Sequence, residues 1–175
     1  MSYVLFVSEE KLKDSTAING NVDVEFLLPY VKLSQIKHCK TKLGSDLYEK
    51  LQSDITATTL TGAYKTLVDD YISEMLTQWA FFECIPFLRF KIENGNIYSK
   101  TSETGTALSN SEASSLREEV RNTAEYFTER MVSYLCNNNS SFPEYSTSSG
   151  ADVKPDKDSY YAGLNLDGVK AQKRA

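Results

Sequence analysis

The sequence is poor in the residues that build metal and catalytic sites. It has a single histidine, His38, and three widely separated cysteines: Cys39, Cys84 and Cys136. No CxxC pair occurs, so a zinc site lacks ligands at usable spacing, and we expect neither metal nor cofactor. Three unpaired cysteines indicate reduced, partly buried thiols in a reducing cytosol. His38 and Cys39 point about 100° apart on a helix, which disfavours thiolate catalysis by this pair.

An excess of positive charge and a long apolar run are also missing. The chain has 19 basic and 24 acidic residues, a formal charge of −5 and a mean hydropathy of −0.40. A nucleic-acid binder usually carries a basic patch, whereas the lysines near residues 32–42 alternate with apolar residues, as on a solvated helix face. The apolar run at residues 3–7 is too short for a signal peptide or a membrane span, so we expect neither.

Sequence motifs of common enzymes are not present either. The chain contains no phosphate-binding loop, GxGxxG, GxSxG, HExxH or calcium-loop pattern. Asp69 and Asp70 are candidates for metal binding, but neighbouring acids on a helix diverge, which favours a solvated face. Glu83 lies in an apolar stretch. It is interpreted as a carboxylate paired with a base such as Arg89, the alternative being an acid with a raised pKa. We therefore predict no catalytic residue.

The first 22 residues are predicted to form an N-terminal arm. Residues 2–7 favour a short strand or an extended segment, Ser8 can cap one helical turn, and residues 19–21 are a turn signal. A helix to about residue 42 then begins in one of two ways. Asp23 caps it and Pro29 kinks it, or Leu28 caps it and Pro29 takes the first helical position.

Three further helices are predicted. Gly44 ends the first long helix in a left-handed conformation, and Ser45 caps the next one. The most apolar helix covers residues 63–85 and is ended by Pro86. Ser109 and Glu112 form a capping box for a long amphipathic helix that runs to about residue 135.

Two segments are predicted to need packing contacts beyond their own residues. Alternating side chains around Asn94-Gly95 predict a β-hairpin at residues 89–100, and an isolated hairpin is marginal in water. Residues 137–175 are mostly polar, so alone they should be disordered. We predict that the bulky or turn-forming residues of both segments bind partners: Phe90, Ile92, Asn94, Gly95, Ile97, Tyr98, Phe142, Pro143, Tyr145, Tyr160 and Tyr161.

The predicted fold is mainly α, a bundle of three to four main helices with one β-hairpin and extended N- and C-terminal segments. Residues 1–22 form the arm, residues 23–136 the helical domain with its hairpin at 89–100, and residues 137–175 the extended tail. We expect deletion of residues 138–175 to leave the bundle folded but to stop its assembly with partners.

Six segments carry a resemblance to a known family. They are NVDVEFLLPYV (21–31), KLGSDLYEKL (42–51), YKTLVDDYISEMLTQWAFFECIPFL (64–88), FKIENGNIYSK (90–100), LREEVRNTAEYFTERMVSYL (116–135) and FPEY (142–145). In order and spacing they resemble the head–tail connector, or neck ring, proteins of tailed bacteriophages, particularly phages of Bacteroidetes that include the crAss-like group. The resemblance identifies residues 23–136 as a helical connector domain.

The resemblance implies a structural virion protein of the phage neck, assembled in the host cytoplasm. Its partners would be copies of itself in a ring, commonly of twelve, together with the portal protein and adjacent neck or tail proteins. DNA would pass through the ring without specific binding, which an acidic lumen would assist. The alternative is a soluble helical regulatory or inhibitor module that binds one host protein.

Overall fold

A computed structural model describes residues 4–18, 22–88, 90–93, 96–99, 109–147, 149 and 152–157. Within these residues the α-helices, numbered in chain order, follow one another as α1 (Glu9–Ser15), α2 (Val24–Ser34), α3 (Thr41–Leu43), α4 (Ser45–Thr56), α5 (Gly62–Thr66), α6 (Ser73–Leu88) and α7 (Asn110–Asn137). The core is built around α6, which packs against α2 on one side and α7 on another.

Two π-helical segments join helices that would otherwise be separate. The first π segment (Gln35–Lys40) leads from α2 into α3, and the second (Leu67–Ile72) leads from α5 into α6. The backbone stays right-handed helical through both, so each run is one continuous rod. A π turn adds a residue and shifts the phase of the side chains that follow it. The periodicity of the sequence did not predict this shift.

The N-terminus of α2 matches the first of the two predicted alternatives, a helix that Asp23 caps. Asp23 caps the helix, because its carboxylate accepts a hydrogen bond from the Glu25 N–H at 3.1 Å. Pro29 therefore lies inside the helix, on its exposed side, while Leu27 and Val31 are buried. The capping predictions for Ser8 and Ser109 are confirmed, and the long helix that Ser109 caps ends at Asn137.

The continuous helix formed by α5, the second π segment and α6 is longer than predicted. We call it the central rod. Pro86 does not end it, because α6 continues to Leu88. A proline this close to the end of a helix removes only its own N–H from the hydrogen-bond ladder, so two more residues can follow. Apart from that end, the rod covers the predicted residues 63–85, and it buries side chains nearly all round, including Leu67, Met75 and Leu76.

The predicted fold class needs correction where it combined the bundle with a β-hairpin. The buried core of the described residues is formed by the helices and the segments that flank them. Two four-residue segments, β1 (Phe90–Glu93) and β2 (Asn96–Ser99), form an antiparallel pair within the described residues. The predicted turn residues Asn94 and Gly95 lie outside the described residues. The predicted fold class is therefore corrected to a helical bundle without the β-hairpin.

The described part of the predicted N-terminal arm packs against its own chain. Residues 4–7 form no strand, and Phe6, Val7 and Leu12 of α1 are buried in the core. The buried side-chain amide of Gln35 accepts a hydrogen bond from the Phe6 N–H at 2.9 Å and donates to the Val4 carbonyl at 2.9 Å. This side chain satisfies backbone groups that would otherwise call for a partner strand.

The described part of the C-terminal segment folds back onto the bundle. Two turns of 3₁₀-helix, Asn139–Ser141 and Pro143–Tyr145, follow α7. Phe142 is fully buried and Tyr145 is 1% exposed. Deletion of residues 138–175 would therefore remove core side chains, which gives a reason to expect that the deletion destabilises the bundle.

A second part of the tail docks at the turn between α3 and α4. Ser45 and Val153 exchange two hydrogen bonds, from the Ser45 N–H to the Val153 carbonyl at 2.9 Å and from the Val153 N–H to the Ser45 hydroxyl at 3.0 Å. Gly44, not Ser45, is the N-cap of α4, and its φ is +76°, which agrees with the predicted positive φ. A Cβ at Gly44 would lie 2.6 Å from the Pro155 ring, so the close approach needs glycine.

Candidate functional site

A groove of about 530 Å³ opens between the first π segment, α6 and α7. Trp79 and Phe82 of α6 line it, together with Thr41 and His38 on one side and Thr128 on the other. π-helical segments are frequent at functional sites, because the added residue redirects neighbouring side chains. This groove is therefore the first candidate site.

The indole of Trp79 is held in place from three sides. The His38 imidazole stacks on it, with ring centroids 3.7 Å apart and planes inclined by 7°. Phe82 meets it edge to face at 5.4 Å, and its N–H donates to the Thr128 hydroxyl at 2.9 Å. Only 8% of Trp79 is exposed. Because its polar N–H and both neighbours are fixed, the aromatic lining of the groove is preorganised.

Glu83 holds the first π segment against α6. Its carboxylate accepts a hydrogen bond from the Lys37 ammonium at 2.7 Å and lies 2.9 Å from His38 Nε2, while the residue is 8% exposed. The partner suggested from the sequence, Arg89, lies outside the described residues. Both observed bases come from a segment about 45 residues earlier, so spacing along α6 did not indicate them.

The pKa of Glu83 contradicts the alternative interpretation of a raised-pKa acid. Burial raises the pKa of the carboxyl, but hydrogen bonds and charge from Lys37 and His38 outweigh burial, and the net pKa is below the usual value. The pKa of His38 is also lowered, chiefly by burial and against the opposing effect of Glu83. Cys39 is fully buried, and burial raises the pKa of its thiol well above the usual range. Its thiol is therefore protonated near neutral pH.

The charged rim of the groove consists of compensated pairs. Besides Lys37 and Glu83, the Lys42 ammonium lies 2.7 Å from the Asp156 carboxylate, and Arg121 donates to Glu125 at 2.9 Å. Each cation faces a carboxylate at hydrogen-bond distance. The groove thus presents an aromatic floor with little net charge around it.

A second candidate site is an exposed apolar face on α2, the first π segment and the end of α6. We define the apolar face as Leu28, Leu33, Ile36 and Phe87, which are 37%, 44%, 44% and 42% exposed. Phe87 stacks on Tyr30 with ring centroids 5.3 Å apart, and Leu33 and Ile36 follow Tyr30 at intervals of three residues. The Tyr30–Phe87 contact brings exposed apolar side chains of α2 close to the end of α6.

None of the predicted partner-binding residues is among the four that define the apolar face. Phe142 and Tyr145 are buried in the core of their own chain, so they are not exposed anchors, whereas Pro143 is exposed. The remaining eight divide into two groups. Phe90, Ile92, Ile97 and Tyr98 lie in β1 and β2, where only the backbone is described, and Asn94, Gly95, Tyr160 and Tyr161 lie outside the described residues.

The sequence contains a signal for the apolar face. Leu28 and Leu33 fall outside the stripe formed by Leu27 and Val31, so α2 is apolar on more than one side.

Asp69, one of the two candidate metal ligands, pairs with Lys65 on an exposed surface. Among the described residues, no three His, Cys, Asp or Glu side chains meet in a metal-binding cluster. No helix in the same part of the chain has the length and apolar character needed to cross a bilayer.

Comparison with known proteins gives one match. No curated protein and no solved structure matches the chain. Residues 39–155 match a family of unknown function, DUF6712. This region includes most of the groove and the docked part of the tail, and it is about two thirds of the chain. The chain therefore belongs to the DUF6712 family.

Proposed function

We propose that the protein is a structural subunit that assembles into a ring, as the head–tail connector proteins of tailed bacteriophages do. The ring would join the capsid portal to the tail in the phage neck and surround the DNA channel. The apolar face is the observation that carries this proposal, since large exposed apolar side chains on neighbouring elements often mark a site of protein–protein contact.

A ring requires two different surfaces on each subunit. In a cyclic assembly with more than two copies, contacts are heterologous, so a patch on one copy binds a different patch on the next. The helix α7 supplies a second exposed apolar surface with Leu116 and Tyr126, which are 41% and 62% exposed. Because α6 packs between α2 and α7, the two surfaces lie on different flanking helices. This arrangement suits head-to-tail contacts.

The balance of charge supports a role around DNA rather than one that grips it. The formal charge is −5, and the rim cations of the groove are paired with carboxylates. Phosphate binding needs cations that can exchange their counterions for the nucleic acid. A wall of this composition lets a duplex pass without holding it.

The proposal is tested by the mass of the purified protein. We expect a large homo-oligomer by light scattering after size exclusion, and ring-shaped particles by electron microscopy. The Leu33→Glu, Ile36→Glu variant places two charges in the apolar face and should reduce the mass to that of a monomer. Ser53→Glu, at an exposed position of α4 and outside both apolar surfaces, is the control and should assemble normally.

Two results would contradict a ring. One is a wild-type protein that stays monomeric at high concentration and also fails to join portal-containing particles. The other is a stable complex with a single host protein through the same face, which would favour a regulatory or inhibitor module. The neighbouring genes provide a further check, because portal, major capsid and tail genes beside this one would support the neck.

A further inference from the structure

The turn between α3 and α4 presents hydrogen-bonding groups that match an extended peptide. Leu43 ends α3 and Ser45 begins α4, so the Thr41 carbonyl and the Ser45 N–H are helix-end groups that need partners from outside their helices. The carbonyl accepts from the Asp156 N–H at 3.0 Å, and the Ser45 N–H donates to the Val153 carbonyl at 2.9 Å. The Ser45 hydroxyl accepts from the Val153 N–H at 3.0 Å. The turn therefore offers two acceptors and one donor to a peptide backbone.

Two lysines of the same stretch add positive charge to the turn. The Lys40 ammonium lies 2.8 Å from the Asp152 carboxylate, and the Lys42 ammonium lies 2.7 Å from the Asp156 carboxylate. The two lysine side chains are 22% and 20% exposed, whereas the two aspartate side chains are 73% and 50% exposed. The cations are therefore the more enclosed partners, and the carboxylates approach from the solvent side, as those of a bound peptide would.

Gly44 leaves room for a proline between the two charged contacts. A Cβ at Gly44 would lie 2.6 Å from the Pro155 ring, so the ring sits where a larger residue would not allow it. Proline has no N–H that needs a partner, and its fixed φ suits an extended chain. The segment that fits this turn therefore has a proline followed directly by one acidic residue and preceded, at three positions, by another.

The segment that fills the turn is held much less firmly than the chain before it. None of residues 152–157 is buried, whereas Phe142 and Tyr145 anchor the chain in the core. The Lys157 ammonium, 4.6 Å from the centre of the Tyr145 ring, adds one more exposed contact. Exposed ion pairs contribute little to stability, and segments with few buried apolar contacts open at low cost. Residues 152–157 can therefore leave the turn while the rest of the fold stays intact.

From these contacts we infer that the α3–α4 turn is a recognition site for an acidic, proline-containing peptide segment of a partner protein. Residues 152–157 occupy this site in the isolated chain, and a partner segment of the same chemistry displaces them. Nucleic-acid phosphate fits less well, because phosphate oxygens cannot donate to the Thr41 carbonyl or the Ser45 hydroxyl. The inference does not depend on the proposed ring, because it concerns the turn and not the mass of an assembly.

The first test releases the segment and adds it back as a free peptide. In the full-length Asp152→Lys, Asp156→Lys variant, like charges meet at both lysines of the turn. The Ser45 N–H should therefore shift its resonance and lose hydrogen-exchange protection. The acetylated and amidated peptide Asp-Val-Lys-Pro-Asp-Lys, which copies residues 152–157, should then restore both the resonance and the protection.

Matched variants separate recognition from simple attraction of charge. The Glu10→Lys, Glu119→Lys variant changes two exposed acids, so it has the same net charge but keeps its own segment docked. It should need roughly tenfold more peptide, because a tethered competitor acts at an effective concentration of about millimolar. Gly44→Ala, added to the released variant, keeps the charge but should abolish the response to the peptide, since the methyl group meets the proline ring.

The single-stranded oligonucleotide hexathymidylate is the probe for a phosphate site, and it should not restore protection of the Ser45 N–H. A released variant that does not respond to the peptide would overturn the inference. Equal responses to the peptide and to hexathymidylate, or an unchanged response after Gly44→Ala, would also overturn it. Equal Ser45 protection in the released variant and the wild type would contradict it as well, because the carboxylates would then not hold the segment.

Discussion

The imidazole of His38 lies flat on the indole of Trp79, with 3.7 Å between ring centroids and 7° between ring planes. This contact joins the first π segment to α6 at the point where Glu83 also binds Lys37 and His38. Burial in this position disfavours the charged imidazolium, so the pKa of His38 is below its ordinary value of 6.5 despite the neighbouring carboxylate. Acidification should therefore weaken the contact between the first π segment and α6.

The first prediction concerns the titration of His38. It is the only histidine, so the imidazole region of a proton NMR spectrum should contain one titrating set of signals. We expect its midpoint below pH 6.5. A midpoint at or above 6.5 would show that Glu83, not burial, dominates at this site.

The same shift has a consequence for stability. Because the pKa of His38 is lower in the folded state, the unfolded chain binds more protons as pH falls below 6.5, and the free energy of unfolding decreases. The stability associated with the neutral imidazole of His38 is fully present above pH 6.5. It is lost as the pH falls towards the pKa of His38 in the folded state. Urea unfolding at pH 7.5 and 5.5 should show a smaller pH dependence for His38→Gln than for the wild type. The lowered pKa of Glu83 acts in a more acidic window, below its usual value of 4.5.

The second prediction concerns Glu83→Gln. Loss of the carboxylate removes the charge and hydrogen bond that raise the pKa of His38, so the NMR midpoint of His38 should fall further. It should also cost about 1–3 kcal/mol of stability, as expected when a buried charged hydrogen bond is weakened. Glu74→Gln is the matched control, because Glu74 pairs with Lys11 at 2.7 Å away from the groove. Equal titration curves for His38 in the wild type and in Glu83→Gln would contradict the assigned contact.

The third prediction concerns the folded-back C-terminal segment. Phe142 is fully buried and meets Tyr64 edge to face at 5.3 Å. Phe142→Ala should therefore lower the free energy of unfolding by about 3–5 kcal/mol, the usual cost of removing a core phenyl ring. Ser140→Ala changes an exposed position of the same turn and should stay within about 0.5 kcal/mol of the wild type. A small effect of Phe142→Ala in denaturant unfolding would mean that this segment is not part of the core.

The fourth prediction concerns the docking of the tail at Gly44. Gly44→Ala introduces a methyl group 2.6 Å from the Pro155 ring at a residue with φ of +76°. The steric conflict should detach residues 152–157, so the Ser45 N–H, which donates to Val153, should lose hydrogen-exchange protection. The backbone strain should add about 1–2 kcal/mol of destabilisation. Asp152→Asn weakens only the exposed ion pair with Lys40 and serves as the mild control.

The helices were predicted well because the interactions that start and stabilise them join residues close together in the sequence. The caps at Ser8, Asp23 and Ser109 each depend on a side chain and an N–H within three residues, so the sequence alone contains the whole interaction. The long helix α7 followed from its apolar spacing for the same reason. These elements were predicted to within a few residues.

Long-range contacts account for the errors. The C-terminal segment is polar on average, and composition therefore suggested an extended tail, but two aromatic rings and two hydrogen bonds between Ser45 and Val153 attach its described part to the bundle. The ligands of Glu83 likewise come from a distant segment whose phase depends on a π turn. None of these contacts leaves a periodic pattern in the sequence, so no reading of spacing could have found them.

The amide of Gln35 acts as a one-residue substitute for a β-strand. It accepts from the N–H that follows Leu5 and donates to the carbonyl that precedes it, which is the pattern a residue of a parallel neighbour would make. The edge of the N-terminal segment is closed at that point by its own chain. Another molecule that sought to extend this edge by strand addition would first have to displace a buried glutamine, so recruitment through main-chain pairing is blocked there.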